Sequence, residues 1–124
     1  MNARQRFLVI DDSSVVRKVV RRICEDFGLD VSEAEDGEKA LGVCRSRMPD
    51  AILVDSNMPG MDGIEFLKAL RALQGGRHPK AIFCMTEYSA GQLGRAFRAG
   101  ADDHILKPFD KSIIEAKLHE VGLL

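Results

Sequence analysis

An α/β fold, with a parallel sheet covered by helices on both faces, follows from two features of the 124-residue chain. Short apolar runs alternate with longer amphipathic ones, and the pattern repeats five times in units of roughly 25 residues. The strongest runs, Phe7-Leu8-Val9-Ile10 and Ala51-Ile52-Leu53-Val54, are continuous rather than alternating, as in strands buried on both sides. Units this tightly spaced leave no room for an inserted domain or a linker, so residues 1–124 are expected to form a single domain.

Each element has its own signals. After the first strand, Asp11-Asp12-Ser13-Ser14 supplies helix-capping residues. Val15, Val16, Val19, Val20, Ile23, Cys24 and Phe27 then recur at helical spacing, and Gly28 stops that helix. A weaker strand covers Val31 to Ala34. Asp36-Gly37 opens a second helix through Ala40, Leu41, Val43 and Cys44, which Pro49-Asp50 breaks. The third strand ends at Asp55. A loop of turn formers, Asn57 to Gly63, leads to a helix marked by Ile64, Phe66, Leu67, Leu70 and Leu73 and closed by Gly75-Gly76. Ala81 to Met85 is a fourth strand, ending at Thr86. The fourth helix spans Tyr88 to Ala99, weakened at Gly91 and Gly94 by roughly 1 kcal/mol each. His104-Ile105-Leu106 is a short fifth strand ending at Lys107-Pro108. Asp110 caps a last helix carrying Ile113, Ile114, Lys117, Leu118 and Val121.

Composition narrows the function. Lys+Arg total 18 against 19 Asp+Glu, a balance that argues against direct DNA binding and against membrane-surface binding. No apolar run approaches the roughly 18–20 residues that span a bilayer, and no signal-peptide core follows Met1 to Arg6. Cys24, Cys44 and Cys84 are scattered and form no CxxC pair, which fits small buried side chains in a reducing cytoplasm.

In an open parallel α/β sheet, ligands bind beyond the C-terminal strand ends. The residues found there are Asp11 and Asp12 after the first strand, Asp55 after the third, Thr86 after the fourth and Lys107 after the fifth. Three carboxylates, a hydroxyl and an ammonium suit a divalent cation and a phosphoryl group. Two carboxylates about 4 Å apart repel by about 4 kcal/mol at an effective dielectric of 20, so three together need a cation or must take up protons. Mg²⁺ fits, with Mn²⁺ as a substitute, because it takes hard oxygen ligands. A carboxylate beside such a metal can attack phosphorus and carry the group covalently. Each residue alone reads as a helix cap or a solvated side chain; their conjunction at the strand ends is what carries the reading.

These residues sit in runs that closely resemble the receiver domain of bacterial two-component response regulators, over Phe7 to Leu118. The runs are Val9-Ile10-Asp11-Asp12-Ser13, Val54-Asp55-Ser56-Asn57-Met58-Pro59-Gly60-Met61-Asp62-Gly63, Met85-Thr86, Gly100-Ala101-Asp102-Asp103 and Leu106-Lys107-Pro108-Phe109. The resemblance implies a flavodoxin-like doubly wound sheet of five parallel strands in the order 2-1-3-4-5, with five helices. It implies that Asp55 is the phosphoacceptor and that Asp11, Asp12, Asp55 and the backbone carbonyl of Asn57 hold Mg²⁺. Lys107 pairs with the phosphoryl group, Thr86 moves to hydrogen-bond it, and His104 responds as the switch residue. The implied donor is a histidine kinase or histidine phosphotransfer protein. The implied output is protein contact through the face formed by the fourth helix, fifth strand and fifth helix. No output domain is expected after Leu124, and the chain is expected to be a cytoplasmic monomer or weak dimer rather than a turnover enzyme, with at most slow self-dephosphorylation.

Two departures from the family pattern stand out. His104 occupies a position usually held by Tyr or Phe; it is either a partly exposed edge-strand residue or a switch whose imidazole titrates near neutrality. Glu87-Tyr88 follows Thr86 where a small residue is common, and Tyr88 either covers the site or meets a partner. The competing functions are a Mg²⁺-dependent phosphohydrolase or flavodoxin-like catalyst, and a phosphorylation-independent adaptor. Arg95, Arg98, Arg77 and His78 form either a solvated face or a basic patch for a cyclic dinucleotide or other phosphate-bearing ligand.

Overall fold

The computed structural model describes residues 4–124. Strands and helices alternate without exception among them: β1 (Arg6–Ile10), α1 (Ser14–Asp26), β2 (Asp30–Ala34), α2 (Gly37–Ser46), β3 (Ala51–Asp55), α3 (Gly63–Ala72), β4 (Lys80–Met85), α4 (Ala90–Ala99), β5 (Asp103–Leu106) and α5 (Lys111–Glu120). The strands form one sheet in the order β2-β1-β3-β4-β5, and every neighbouring pair is parallel. Strand order reverses between β1 and β3, which places a crevice beyond their C-terminal ends.

Alternation of side chains along each strand divides the core in two. Leu8, Ile10, Ile52, Val54, Phe83 and Met85 pack with Leu41, Phe66, Leu70 and Leu93 beneath α2, α3 and α4. Phe7, Val9, Leu53, Ile82, Cys84 and Ile105 pack with Val20, Cys24, Ile114 and Leu118 beneath α1 and α5. Each fully buried large aliphatic or aromatic side chain contributes about 1.5–3 kcal/mol. All of β3 is buried, which accounts for its unbroken apolar sequence.

Five helices start on a side-chain cap, each worth about 1 kcal/mol. The caps are Ser13, Asp36, Asp62, Ser89 and Asp110. At α3 the cap is reciprocal: Asp62 accepts from the Glu65 amide at 2.8 Å, and the Glu65 carboxylate accepts from the Asp62 amide at 3.1 Å. The fourth helix begins two residues later than its sequence pattern implies. The Ser89 hydroxyl accepts from the Gln92 amide at 3.2 Å, so Tyr88 stays in the preceding loop. The last strand begins one residue early, at Asp103.

Two glycines mark close approaches. Gly100 ends α4 at φ +118°, and a Cβ there sits 2.7 Å from the Arg71 side chain. Gly63 opens α3 directly on β3, where a Cβ meets the Asp55 carbonyl oxygen at 2.5 Å and the Phe83 ring at 3.0 Å. Gly63→Ala is therefore expected to lower stability by about 1–3 kcal/mol, the usual cost of overpacking, in a denaturant melt. The same substitution shifts the backbone that carries Asp55, so divalent-cation affinity is expected to fall with it in a calorimetric titration.

Candidate functional site

The strand ladder determines which way the site residues face. Three backbone hydrogen bonds extend the ladder past the strand ends: Asp11 N–H to Ala34 O (3.1 Å), Ser56 N–H to Cys84 O (2.8 Å) and Lys107 N–H to Met85 O (2.9 Å). Asp11 therefore keeps the parity of Phe7 and Val9, Asp55 that of Ala51 and Leu53, and Lys107 that of Ile105. All three side chains lie on the α1/α5 side of the sheet.

There they meet. The Lys107 ammonium lies 2.9 Å from Asp11 Oδ2 and 3.3 Å from Asp55 Oδ1. Asp11, Asp12 and Asp55 each offer a carboxylate oxygen within 4.8 Å of the others. Asp11 and Asp55 are only 3% and 5% exposed and are the buried charged residues of the fold, while Asp12 faces solvent. Neither Asp11 nor Asp12 caps α1, because Ser13 does; Asp11 Oδ1 instead accepts from the Ser13 amide at 2.9 Å.

Burial raises the pKa of Asp55 above the ordinary carboxylate value, repulsion from Asp11 adds to this, and Lys107 partly opposes it. Burial alone would depress Lys107, but its hydrogen bond to Asp11 and the fields of Asp55 and Asp11 outweigh burial and raise it. One ammonium thus faces three carboxylates. That excess of hard oxygen donors is the environment a small divalent cation requires, and these residues could hold one. The neighbouring Cys84 thiol is pushed up to about 12 by burial, and Cys24 likewise, with Cys44 at about 11. All three cysteines are buried free thiols, and at those values they are poor nucleophiles.

The remaining candidates lie at the rim. Thr86 is exposed and borders two hollows, one of about 420 Å³ shared with Lys107 and one of about 480 Å³ shared with Asn57. It does not cap α4. His104 has the opposite parity to Ile105 and faces the α4 side of the sheet. Its ring centroid lies 6.4 Å from that of Tyr88, and its Nδ1 lies 3.8 Å from an Asp103 carboxylate that Lys117 also binds. Tyr88 thus lies against His104, 61% exposed. His78 pairs with Asp50 at 2.9 Å and is committed there.

One supporting pair is not visible in the sequence pattern, where Arg17 belongs to the polar face of the first helix. The Arg17 guanidinium donates to the backbone oxygen of Asp11 at 2.7 Å and to Glu33 at 3.2 Å. Glu33 also accepts from Arg21 at 2.9 Å, and that bond holds its carboxyl below the ordinary range despite partial burial. This clamp ties the turn carrying Asp11 and Asp12 to α1 and β2. The only sequence signal for it is an acidic residue facing out of the edge strand.

Because the folded pKa of Asp55 is raised, ionising that residue opposes folding. Its favourable contribution is complete below the ordinary carboxylate pKa and is lost as pH rises through the raised value. In a metal chelator, Asp55→Asn is expected to raise the thermal midpoint at neutral pH, and the gain is expected to shrink as pH falls through the carboxylate range. Parallel pH profiles for the two proteins would contradict this electrostatic account.

The comparisons with known proteins agree with the geometry. The family model for the response regulator receiver domain matches residues 7–119. Chemotaxis protein CheY-3 of Vibrio cholerae serotype O1 is 33% identical over 122 residues, covering 98% of this chain and 94% of that protein. The structure of V. cholerae chemotaxis protein CheY4 matches with a TM-score of 0.92 at 32% identity, over 96% of this chain and 99% of that one. The receiver domain of a Pseudomonas aeruginosa PAO1 sensor histidine kinase matches with a TM-score of 0.87 at 27% identity, over 97% and 99% of the two chains. That structure has a magnesium ion coordinated in its active-site cleft. A five-stranded 2-1-3-4-5 sheet with an acidic crevice at its switch point, matched over nearly its whole length, belongs to the response regulator receiver family and is similar to the CheY chemotaxis proteins.

Proposed function

We propose that this receiver domain is a phosphorylation switch in which Asp55 takes a phosphoryl group from a phosphohistidine on a histidine kinase or histidine phosphotransfer protein. The observation that carries this reading is the Lys107 ammonium bridging Asp11 and Asp55 within the three-carboxylate cluster. Asp11, Asp12, Asp55 and the carbonyl of Asn57 hold Mg²⁺. When bound, the ion neutralises the excess carboxylate charge and the oxygens of the incoming phosphoryl group.

Asp55 supplies the attacking oxygen. Its bond to phosphorus forms as the phosphorus–nitrogen bond to the donor imidazole breaks, and the departing imidazole takes up a proton. Lys107 lies within reach of both Asp11 and Asp55, so it pairs with the transferred group without a large movement. Thr86, uncommitted as a cap, hydrogen-bonds that group after transfer. His104 follows Thr86 and changes its packing with Tyr88. Water slowly hydrolyses the acyl phosphate, so the domain is consumed and regenerated rather than turned over on free substrate.

A protein donor suits the rim of the site. The hollow beside Lys107 is walled by Val15, Val16, Val19, Pro108 and Phe109, an apolar collar that fits a protein surface better than a small phosphate ester. The output face is α4, β5 and α5, where Tyr88, Leu106 and Ile113 expose apolar area. No helix among the described residues is long and apolar enough to cross a membrane, and the cytoplasm is where this switch works.

The direct test is intact mass spectrometry after incubation with Mg²⁺ and acetyl phosphate. One phosphoryl group is expected on the wild type and none on Asp55→Asn or in EDTA. Labelling that survives Asp55→Asn would move the acceptor elsewhere. Mg²⁺ at a hundred times its dissociation constant is also expected to stabilise the fold by about 2.7 kcal/mol, read as a shift in the denaturant midpoint. Asp12→Ala removes an exposed ligand, and with it most of that shift.

A further inference from the structure

A second surface, away from the crevice, carries a distinct charge pattern. α3 and α4 enclose an open groove of about 610 Å³. Its floor is aliphatic, from Ile64, Ala72 and Ala99, and its rim is cationic, from Lys68 on one wall and Arg95 and Arg98 on the other. Arg77 continues the positive edge around the end of α4. The chain as a whole has a net charge of -1, so this is a local concentration of charge.

These four side chains form no salt bridge among the described residues, whereas Arg17, Arg21, Arg71, Lys107 and Lys117 each do. The groove is also held rigid. Arg71 donates from all three guanidinium nitrogens to Gly100 O, Gly76 O, Pro79 O and Asp102, tying the end of α3 to the end of α4. Its donors are committed to the fold, so it buttresses the groove and leaves recognition to the rim.

Arg95 and Arg98 are three apart and share one helix face. Each lies back along α4: Arg95 Nη1 is 3.6 Å from the Cβ position of Gly91, and Arg98 Nη1 is 3.4 Å from that of Gly94. At these ordinary van der Waals separations both guanidinium groups lie along the surface of α4. Two guanidinium forks opposite a lysine, over an aliphatic floor, complement carboxylates on either side of aliphatic side chains. No aromatic ring lines the groove among the described residues, so it lacks the stacking platform by which a nucleobase is most often held.

We infer that the α3–α4 groove is a docking site for an acidic amphipathic segment of a partner protein, separate from the phosphoryl site and from the α4–β5–α5 face. Asp55 takes no part in it, so the inference stands independently of the phosphoacceptor reading.

The test is a titration of the isotopically labelled full chain with a peptide of three Glu-Leu-Leu-Glu repeats, followed by NMR. Chemical-shift changes are expected along α3 and α4, with affinity falling as salt is raised. Arg95→Glu with Arg98→Glu is expected to weaken binding by about tenfold or more, and Lys68→Glu on the opposite wall is expected to weaken it as well. All three positions are exposed, so the circular dichroism spectrum and labelling by acetyl phosphate are expected to be unchanged. Asp55→Asn is expected to leave peptide affinity unchanged. Shifts confined to the α4–β5–α5 face, equal affinity after charge reversal, or no binding at physiological salt would overturn the inference. Equal affinity for a Glu-Ser-Ser-Glu peptide, with displacement by a cyclic dinucleotide or tripolyphosphate, would also overturn it by showing an anion site that does not use the aliphatic floor.

Discussion

Three carboxylates facing one ammonium is the constraint on which the rest of this structure depends. Two carboxylates at about 4 Å cost about 4 kcal/mol at an effective dielectric of 20. Asp11 and Asp55 bear that cost while almost completely buried. Lys107 offsets part of it by bridging them. Burial, with repulsion from Asp11 added to it, still leaves the pKa of Asp55 raised. A site that is under-neutralised in this way attracts a divalent cation, and its internal balance changes when a doubly charged group is added to one of its members.

The surrounding fold keeps that unfavourable cluster in place. β3 is buried along its whole length and cannot shift without exposing its apolar residues. Gly63 lets α3 rest directly on the Asp55 backbone. Arg17 and Glu33 hold the turn of Asp11 from the other side. The Asp62–Glu65 capping box fixes where the loop after Asp55 ends. The caps and hydrogen bonds among these are ordinary interactions of about 1 kcal/mol each; their effect comes from converging, together with the buried strand, on one short stretch of backbone.

Surfaces of different character surround this centre. The rim beside Lys107 is apolar. The α4–β5–α5 face mixes exposed apolar residues with His104 and Tyr88. The α3–α4 groove is cationic over an aliphatic floor. α4 borders both of the latter surfaces and starts four residues after Thr86. It contains two glycines in ten residues, each of which weakens it by about 1 kcal/mol. A helix so placed forms one edge of each surface.

Much of this was legible in the sequence. Five apolar runs, their spacing and the residues at their ends determine a parallel α/β sheet with Asp11, Asp12, Asp55 and Lys107 at one edge, because strand burial and helix capping are local rules written into residue type. The order 2-1-3-4-5 came through the family resemblance, and the sheet has it. Other features depend on contacts between distant segments. That Asp11, Asp55 and Lys107 share one side of the sheet, while His104 faces the other, follows from ladder register across four strands. That Arg17 reaches the carbonyl of Asp11, and that Arg71 is fully committed while Arg95 and Arg98 are not, follows from where each side chain's nearest acceptor lies. That α4 begins at Ala90 rather than Tyr88 was decided by which of two nearby hydroxyls reached a backbone amide. Residue type determined which chemistry the chain carries. Only the tertiary structure decided which groups neutralise one another and which remain available for a partner, because partnership is a matter of distance in space and not along the chain.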